Sequence, residues 1–255
     1  MLSPVFLSHG TPYTTFEDSE FTKFLNRFGK EVRPKAIVFF SAHFESDITT
    51  IAATDEVHEI VYDYYGFPDS FYQVTYPARG SKIVADIVEE RLRRHNIPVQ
   101  KKYRGLDHGV FPIMRHAYPE ADIPIVPVSV NPFLPARQQI AIGEALQGLE
   151  SEGILVLGSG ALTHNFREFD RDKQAPPREW ALQFTQWIID KVLSRDIEAL
   201  SHYDTLAPHA ALAVPRAEHF VPLLIALGSA PPEGDRRVLI NTIEHGTLST
   251  LSFQL

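Results

Sequence analysis

The stretch Ala36-Ile37-Val38-Phe39-Phe40-Ser41-Ala42-His43 decides the fold. Its unbroken apolar run, with β-branched and aromatic residues, reads as a strand covered on both faces. Ile125 to Val130 and Ile154 to Leu157 are near-continuous apolar runs of the same kind. Strands buried on both faces belong to parallel sheets, whose crossover helices cover them. Working outward, the candidate strands are Pro4 to Ser8, Ala36 to Ser41, Ile48 to Ala53, Pro124 to Val130, Ile154 to Ser159 and Thr247 to Phe253. Helical spacing recurs between them, in Val84, Ile87, Val88 and Leu92, in Ile142, Ala145, Leu146 and Leu149, and in Trp180, Phe184, Trp187, Ile188 and Val192. The alternation predicts one α/β domain over residues 1–255, with a central mostly parallel or mixed sheet flanked by helices. The proline-bearing segments 171–178 and 229–237 read as surface loops, too short to link domains.

With 255 residues, 44% of them hydrophobic and 22% charged, the chain has the make-up of an ordinary globular protein that can bury a sizeable core. A net charge of -8 argues against nucleic acid and anionic membrane surfaces as partners. Cysteine is absent, which excludes disulfides, thiolate ligands, a thiol nucleophile and a cysteine-held iron–sulfur cluster. Any metal must therefore use nitrogen and oxygen. No basic region precedes the first apolar residues, and no run approaches the roughly 18 to 20 apolar residues of a membrane span. The expected compartment is the cytoplasm.

Position matters more than number among the eleven histidines. His9 ends the first candidate strand, His43 ends the second, and His164 follows the strand at 154–159. Ligands of open α/β sheets bind beyond the carboxyl ends of the strands, so these three converge there if their strands are parallel neighbours. His219 falls in the first turn of an apolar helix. Converging imidazoles suit Fe(II) or Zn(II). A lone histidine after a strand also serves as a hydrogen-bonded structural residue, and no His-Glu-x-x-His motif is present, so spacing leaves both readings open.

His108 sits in Arg104-Gly105-Leu106-Asp107-His108-Gly109, where Asp107 would orient the imidazole and raise its pKa. It reads as a proton-transfer residue or as a loop histidine in a tight turn. His58, His95, His116, His202, His209 and His245 read as surface or structural residues. The aromatic run Tyr62-Asp63-Tyr64-Tyr65-Gly66-Phe67-Pro68 offers a wall for a planar ring, with Tyr65 as a substrate contact, or packs as a surface loop. Arg79 and Arg216 are candidate partners for a substrate carboxylate, unless they serve surface salt bridges.

Taken in order, Ser8-His9-Gly10-Thr11-Pro12, Ser41-Ala42-His43, Tyr76-Pro77-Ala78-Arg79-Gly80, Asp107-His108-Gly109, Ser159-Gly160-Ala161-Leu162-Thr163-His164-Asn165 and Glu218-His219-Phe220-Val221-Pro222-Leu223-Leu224 resemble the 4,5-DOPA extradiol dioxygenase family. That family belongs to the class III, LigB-like extradiol ring-cleavage dioxygenases, and the resemblance runs from residue 4 to the end. It implies one non-haem Fe(II) per chain, with Zn(II) an alternative occupant in purified protein, and cleavage of a catechol such as DOPA by dioxygen. It also implies His9, His43 and His219 as metal ligands, His164 as a further ligand or the acid/base, and His108 as an active-site histidine near the substrate. LigB-type members resemble two-histidine, one-glutamate sites, and here Glu218 stands beside His219; the DOPA-type pattern favours His219. Catecholate and dioxygen both need open metal positions, which four protein ligands would crowd. That argument places His164 near the metal but acting on protons. Two further readings are a zinc hydrolase on the same histidines and a Memo-like interaction protein without catalysis.

Overall fold

The apolar runs become the parallel centre of a mixed sheet in the computed structural model, which describes residues 2–255. Its strands are β1 (Val5–Ser8), β2 (Ala36–Glu45), β3 (Thr49–Ile51), β4 (Val99–Lys101), β5 (Ile125–Val130), β6 (Ile154–Gly160), β7 (Arg237–Ile240), β8 (Ile243–Glu244), β9 (Leu248–Ser249) and β10 (Ser252–Gln254). Eight of them form one sheet in the order β4-β3-β5-β2-β6-β1-β10-β7, and β8 and β9 form a separate hairpin. The run β5-β2-β6-β1 is parallel throughout. Antiparallel pairing enters where β3 meets β5 and where β10 meets β1 and β7.

The helices are α1 (Glu20–Glu31), α2 (Lys82–Arg94), α3 (Phe111–Ala117), α4 (Ala136–Glu144), α5 (Glu179–Leu193), the short α6 (Ile197–Ser201), α7 (Tyr203–Leu206) and α8 (Ala210–Ala213), and α9 (Val221–Ser229). Alternate residues of β2 show how they sandwich the sheet. Ile37 and Phe39 pack with Phe24 and Leu25 of α1 and Ile113 and Met114 of α3. Val38 and Phe40 pack on the other face with Val84 and Val88 of α2 and Ile225 of α9. Both faces are dry, so an apolar run without alternation is what the strand requires.

Two segments depart from the sequence pattern. The run Thr247 to Phe253 is not one strand: β9 pairs with β8, the chain bends at Thr250 and Leu251, and β10 joins the main sheet. The helical stripe from Ile142 to Leu149 stops as a helix at Glu144, and Gly148 at φ +90° leads into a 3-10 turn. Hydrophobic periodicity records burial, and burial continues through both breaks.

The carboxyl ends of β2, β6 and β1 lie side by side, with Ser41 opposite Ser159 and Ser8 opposite Gly160. His9 follows β1, His43 lies two residues before the end of β2, and His164 lies four residues past β6. His219 ends a 3-10 turn, Ala217–His219, before the wholly buried α9. Glycine lets that turn rest directly on β6: a Cβ at Gly160 would lie 2.0 Å from the His219 carbonyl oxygen. That same carbonyl accepts the Ala161 N–H at 2.9 Å. Gly160→Ala should therefore push the His219 turn off the strand and cost about 1–3 kcal/mol of stability. Urea unfolding measures this, and unchanged stability would show that the turn does not depend on the close approach.

Candidate metal centre

Each of three histidines has its outer ring nitrogen engaged by a named partner. His9 Nδ1 lies 3.0 Å from Ser159 Oγ, and Ser159 Oγ donates its single proton to the Gly109 carbonyl at 2.6 Å. Ser159 can then only accept from His9, so Nδ1 carries the proton and Nε2 keeps its lone pair. His43 Nδ1 lies 3.2 Å from Asp63 Oδ2. His219 Nδ1 lies 3.0 Å from Glu218 Oε1. Burial pushes the Glu218 carboxyl up, while Arg216, 3.3 Å from its second oxygen, favours the ionised form. With ionised carboxylates as acceptors, His43 and His219 hold the same tautomer as His9.

The three Nε2 atoms face one another. His43 Nε2 is 3.2 Å from His9 Nε2 and 3.2 Å from His219 Nε2. Lone pairs crowded this way repel, and burial with the neighbouring histidines holds the His9 and His219 pKa values well below 6.5, so protonation of those two rings does not relieve them. A metal cation among them does. Two nitrogens that far apart, each about 2.1 Å from one ion, subtend about 100° at it, which suits tetrahedral or octahedral coordination. His9, His43 and His219 therefore fit a metal, each oriented from behind by an oxygen partner.

Asp63 joins this group to His108. Its Oδ1 accepts from His108 Nδ1 at 2.7 Å and from the His108 backbone at 3.2 Å, and its Oδ2 accepts from His43. Burial alone would raise the Asp63 pKa, but hydrogen bonds from His108 and His43 win and hold it well below the usual carboxylate range. The expectation for Asp107 is corrected here. Asp107 turns away to accept from Ser41 Oγ at 2.6 Å and the Gly109 N–H at 3.0 Å, fixing the loop rather than the imidazole. The His108 pKa is lowered, by burial, not raised. Gly109 allows the loop to nest on β2, since a Cβ there would meet Ser41 Oγ at 2.4 Å.

His164 stacks on His219, with ring centroids 3.5 Å apart and planes 12° apart. Its Nδ1 is 3.7 Å from Glu218 Oε1, and burial, helped by His43 and His108, holds its pKa down to about 4. It stands beside the three-nitrogen group, not within it. Glu218 braces His219 from the side away from His43.

These side chains open on a cavity of about 610 Å³. Tyr64 and Phe67 of the aromatic run line it, and Tyr64 is fixed by its hydroxyl, which donates to the Phe71 carbonyl at 2.7 Å. Tyr65 also reaches the lining but is 92% exposed. Arg79 and Arg216 are not brought to the cavity lining. Arg79 donates to the Asp55 carbonyl, and Arg216 pairs with Glu45 and Glu218. His245, read above as structural, does line the cavity and stacks on Phe169 at 4.0 Å. His58 and His116 bond to backbone carbonyls of Ile125 and Thr14 as structural residues do. Asp63, Ser159 and Lys173 escaped the sequence reading. Asp63 was hidden in an aromatic run, although a lone carboxylate there is itself a signal.

Among the described residues no helix is long and apolar enough to cross a membrane. Comparison with known proteins fits this geometry. Residues 4–251 match the family described as the catalytic LigB subunit of aromatic ring-opening dioxygenase. A protein of Beta vulgaris named 4,5-DOPA dioxygenase extradiol is 36% identical, over 98% of this chain and 94% of its own. One of the same name from Escherichia coli (strain K12) is 32% identical, over 98% of this chain and 93% of its own. The crystal structure of an uncharacterised protein from Escherichia coli K12 superposes with a TM-score of 0.85 at 29% identity, covering both chains completely. The chain belongs to the LigB family of aromatic ring-opening dioxygenases.

Proposed function

We propose that the chain acts as one catalytic domain that holds a single Fe(II) through His9, His43 and His219 and cleaves a catechol ring next to its hydroxyls with dioxygen. The observation that carries this reading is the group of three imidazole lone pairs opening on a cavity with an aromatic wall. The names of the relatives favour DOPA among catechols. When bound, the iron supplies open coordination positions and a path for electrons from ring to oxygen.

The protein's own groups supply the proton chemistry and the setting. His108 donates from Nδ1 to Asp63, so its Nε2 is left to accept a proton from a catechol hydroxyl. The Asp63 carboxylate then stabilises the imidazolium, and binding the His43 ring as well ties that response to the metal ligands. His164 is neutral near pH 7 and can take up a second proton and return it to the product, with the Glu218 carboxylate nearby to steady the charged form. Tyr64, edge-on to His108 at 5.6 Å, closes the cavity beside it, and burial pushes its phenol up to about 12, so it stays neutral.

His9→Ala and His43→Ala are expected to lose metal and activity together, as read by metal content after dialysis and oxygen uptake. His108→Ala should keep metal and lose about 10²–10⁴-fold in kcat, and His164→Ala should slow turnover more than it weakens metal binding. Asp63→Asn should cost about 10–100-fold in activity by releasing both rings. Normal turnover by His108→Ala would remove its assigned role. Iron-replete protein that takes up oxygen with a catechol panel including DOPA and forms a yellow ring-opened product supports the reading. No uptake across the panel favours the zinc hydrolase or the non-catalytic protein.

The buried imidazoles also set an acid limit. His9, His58, His108, His164 and His219 all have pKa values below 6.5 in the folded chain. As pH falls through about 6.5 the unfolded chain takes up protons that the folded chain refuses, so stability present above that pH is lost on the way to about 4. Urea midpoints of metal-free protein should therefore fall between pH 7.5 and 5, and a constant midpoint would contradict the burial argument.

A further inference from the structure

With Arg79 and Arg216 spent elsewhere, Lys173 is the one lysine or arginine lining the cavity among the described residues. It is not alone there. Lys173 Nζ lies 2.7 Å from Glu17 Oε1 and 3.3 Å from Glu244 Oε2, and both glutamates line the same cavity. The triad carries one surplus negative charge. Its side chains are 40%, 31% and 26% exposed, so they remain reachable by a bound molecule.

Backbone pairing holds Lys173 beside Glu244. The loop from Asn165 to Arg178 is laced to the β8–β9 hairpin: His245 N–H donates to the Lys173 carbonyl at 3.0 Å, Asp170 N–H to the His245 carbonyl at 3.0 Å, and Arg178 N–H to the Gly246 carbonyl at 2.8 Å. His245 adopts φ +55° at this turn, an uncommon conformation for a side-chain-bearing residue. Its ring stacks on Phe169, so an aromatic surface adjoins the charged groups. A sphere of the cavity's volume is only about 10 Å across, the length of a catechol bearing a short side chain.

We propose that Glu17, Lys173 and Glu244 are the specificity-determining residues for the substrate's side chain, the two carboxylates accepting a protonated amine and their surplus charge disfavouring a side chain that is only a carboxylate. This rests on the ring-cleavage reading above. Lys173 spaces the carboxylates and moderates their charge, and it can meet a carboxylate only when an amine accompanies it to satisfy the glutamates.

The test compares kcat/KM of iron-loaded protein for the aminoethyl, carboxymethyl and methyl derivatives of catechol, with the uncharged methyl compound as internal reference. The amine-to-acid ratio should fall at least about tenfold in the Glu17→Gln, Glu244→Gln double variant. It should rise in Lys173→Gln, the opposite sign. A merely structural ion pair would lower all three substrates together in both variants, and that outcome, or an unchanged ratio, overturns the proposal. If wild-type protein consumes none of the three, the methyl compound included, the ring-cleavage reading fails separately. Dissociation constants of the same three compounds on zinc-loaded protein then decide the charge reading: the same order and the same opposite shifts sustain it, and equal constants overturn it.

Discussion

Three lone pairs crowded in a buried pocket, with His43 Nε2 3.2 Å from each of the other two, are a costly arrangement, and much of the molecule around them works to hold it. The rings cannot swing apart because each outer nitrogen is tied to a different part of the fold: β6 through Ser159, the aromatic loop through Asp63, and the turn before α9 through Glu218. His9 and His219 do not escape by protonation, because burial disfavours their charged forms. The electrostatic tension is stored by packing, and a cation seated among the three nitrogens would remove it.

The same ties join the three-histidine group to His108 and His164. Asp63 bonds to His43 with one oxygen and His108 with the other, and Ser159 reaches from His9 to the carbonyl of Gly109, next to His108. His9 and His43 are thus mechanically continuous with the loop that carries His108. Glu218 does the corresponding work on the other side, lying between His219 and His164. One layer of oxygen atoms behind the rings braces the whole cluster.

The parallel centre of the sheet was legible because β2, β5 and β6 are dry on both faces, and dryness leaves an unbroken apolar run. His9, His43 and His164 were legible as strand-end residues for the same reason, and His219 as a residue in the first turn of an apolar helix. The β9–β10 break was not, since Thr250 and Leu251 are as buried as their neighbours and periodicity carries no record of a bend. Asp63 was missed because it lies about forty-five residues from His108, and the nearer Asp107 offered a plausible partner that the fold uses elsewhere. For the arginines the sequence left two readings open, and local partners fill the second: Arg79 donates to the Asp55 carbonyl and Arg216 pairs with Glu45.

The placement of β1 bears on how the site is assembled during synthesis. The strand leading to His9 lies between β6 and β10, and β10 comprises residues 252–254. Until those residues leave the ribosome, one side of β1 is an open edge with unpaired backbone groups. The strand that leads to His9 therefore gains its second neighbour only after His43, His164 and His219 have all been made, so a nascent chain can contain all four histidines while β1 is still paired on one side alone.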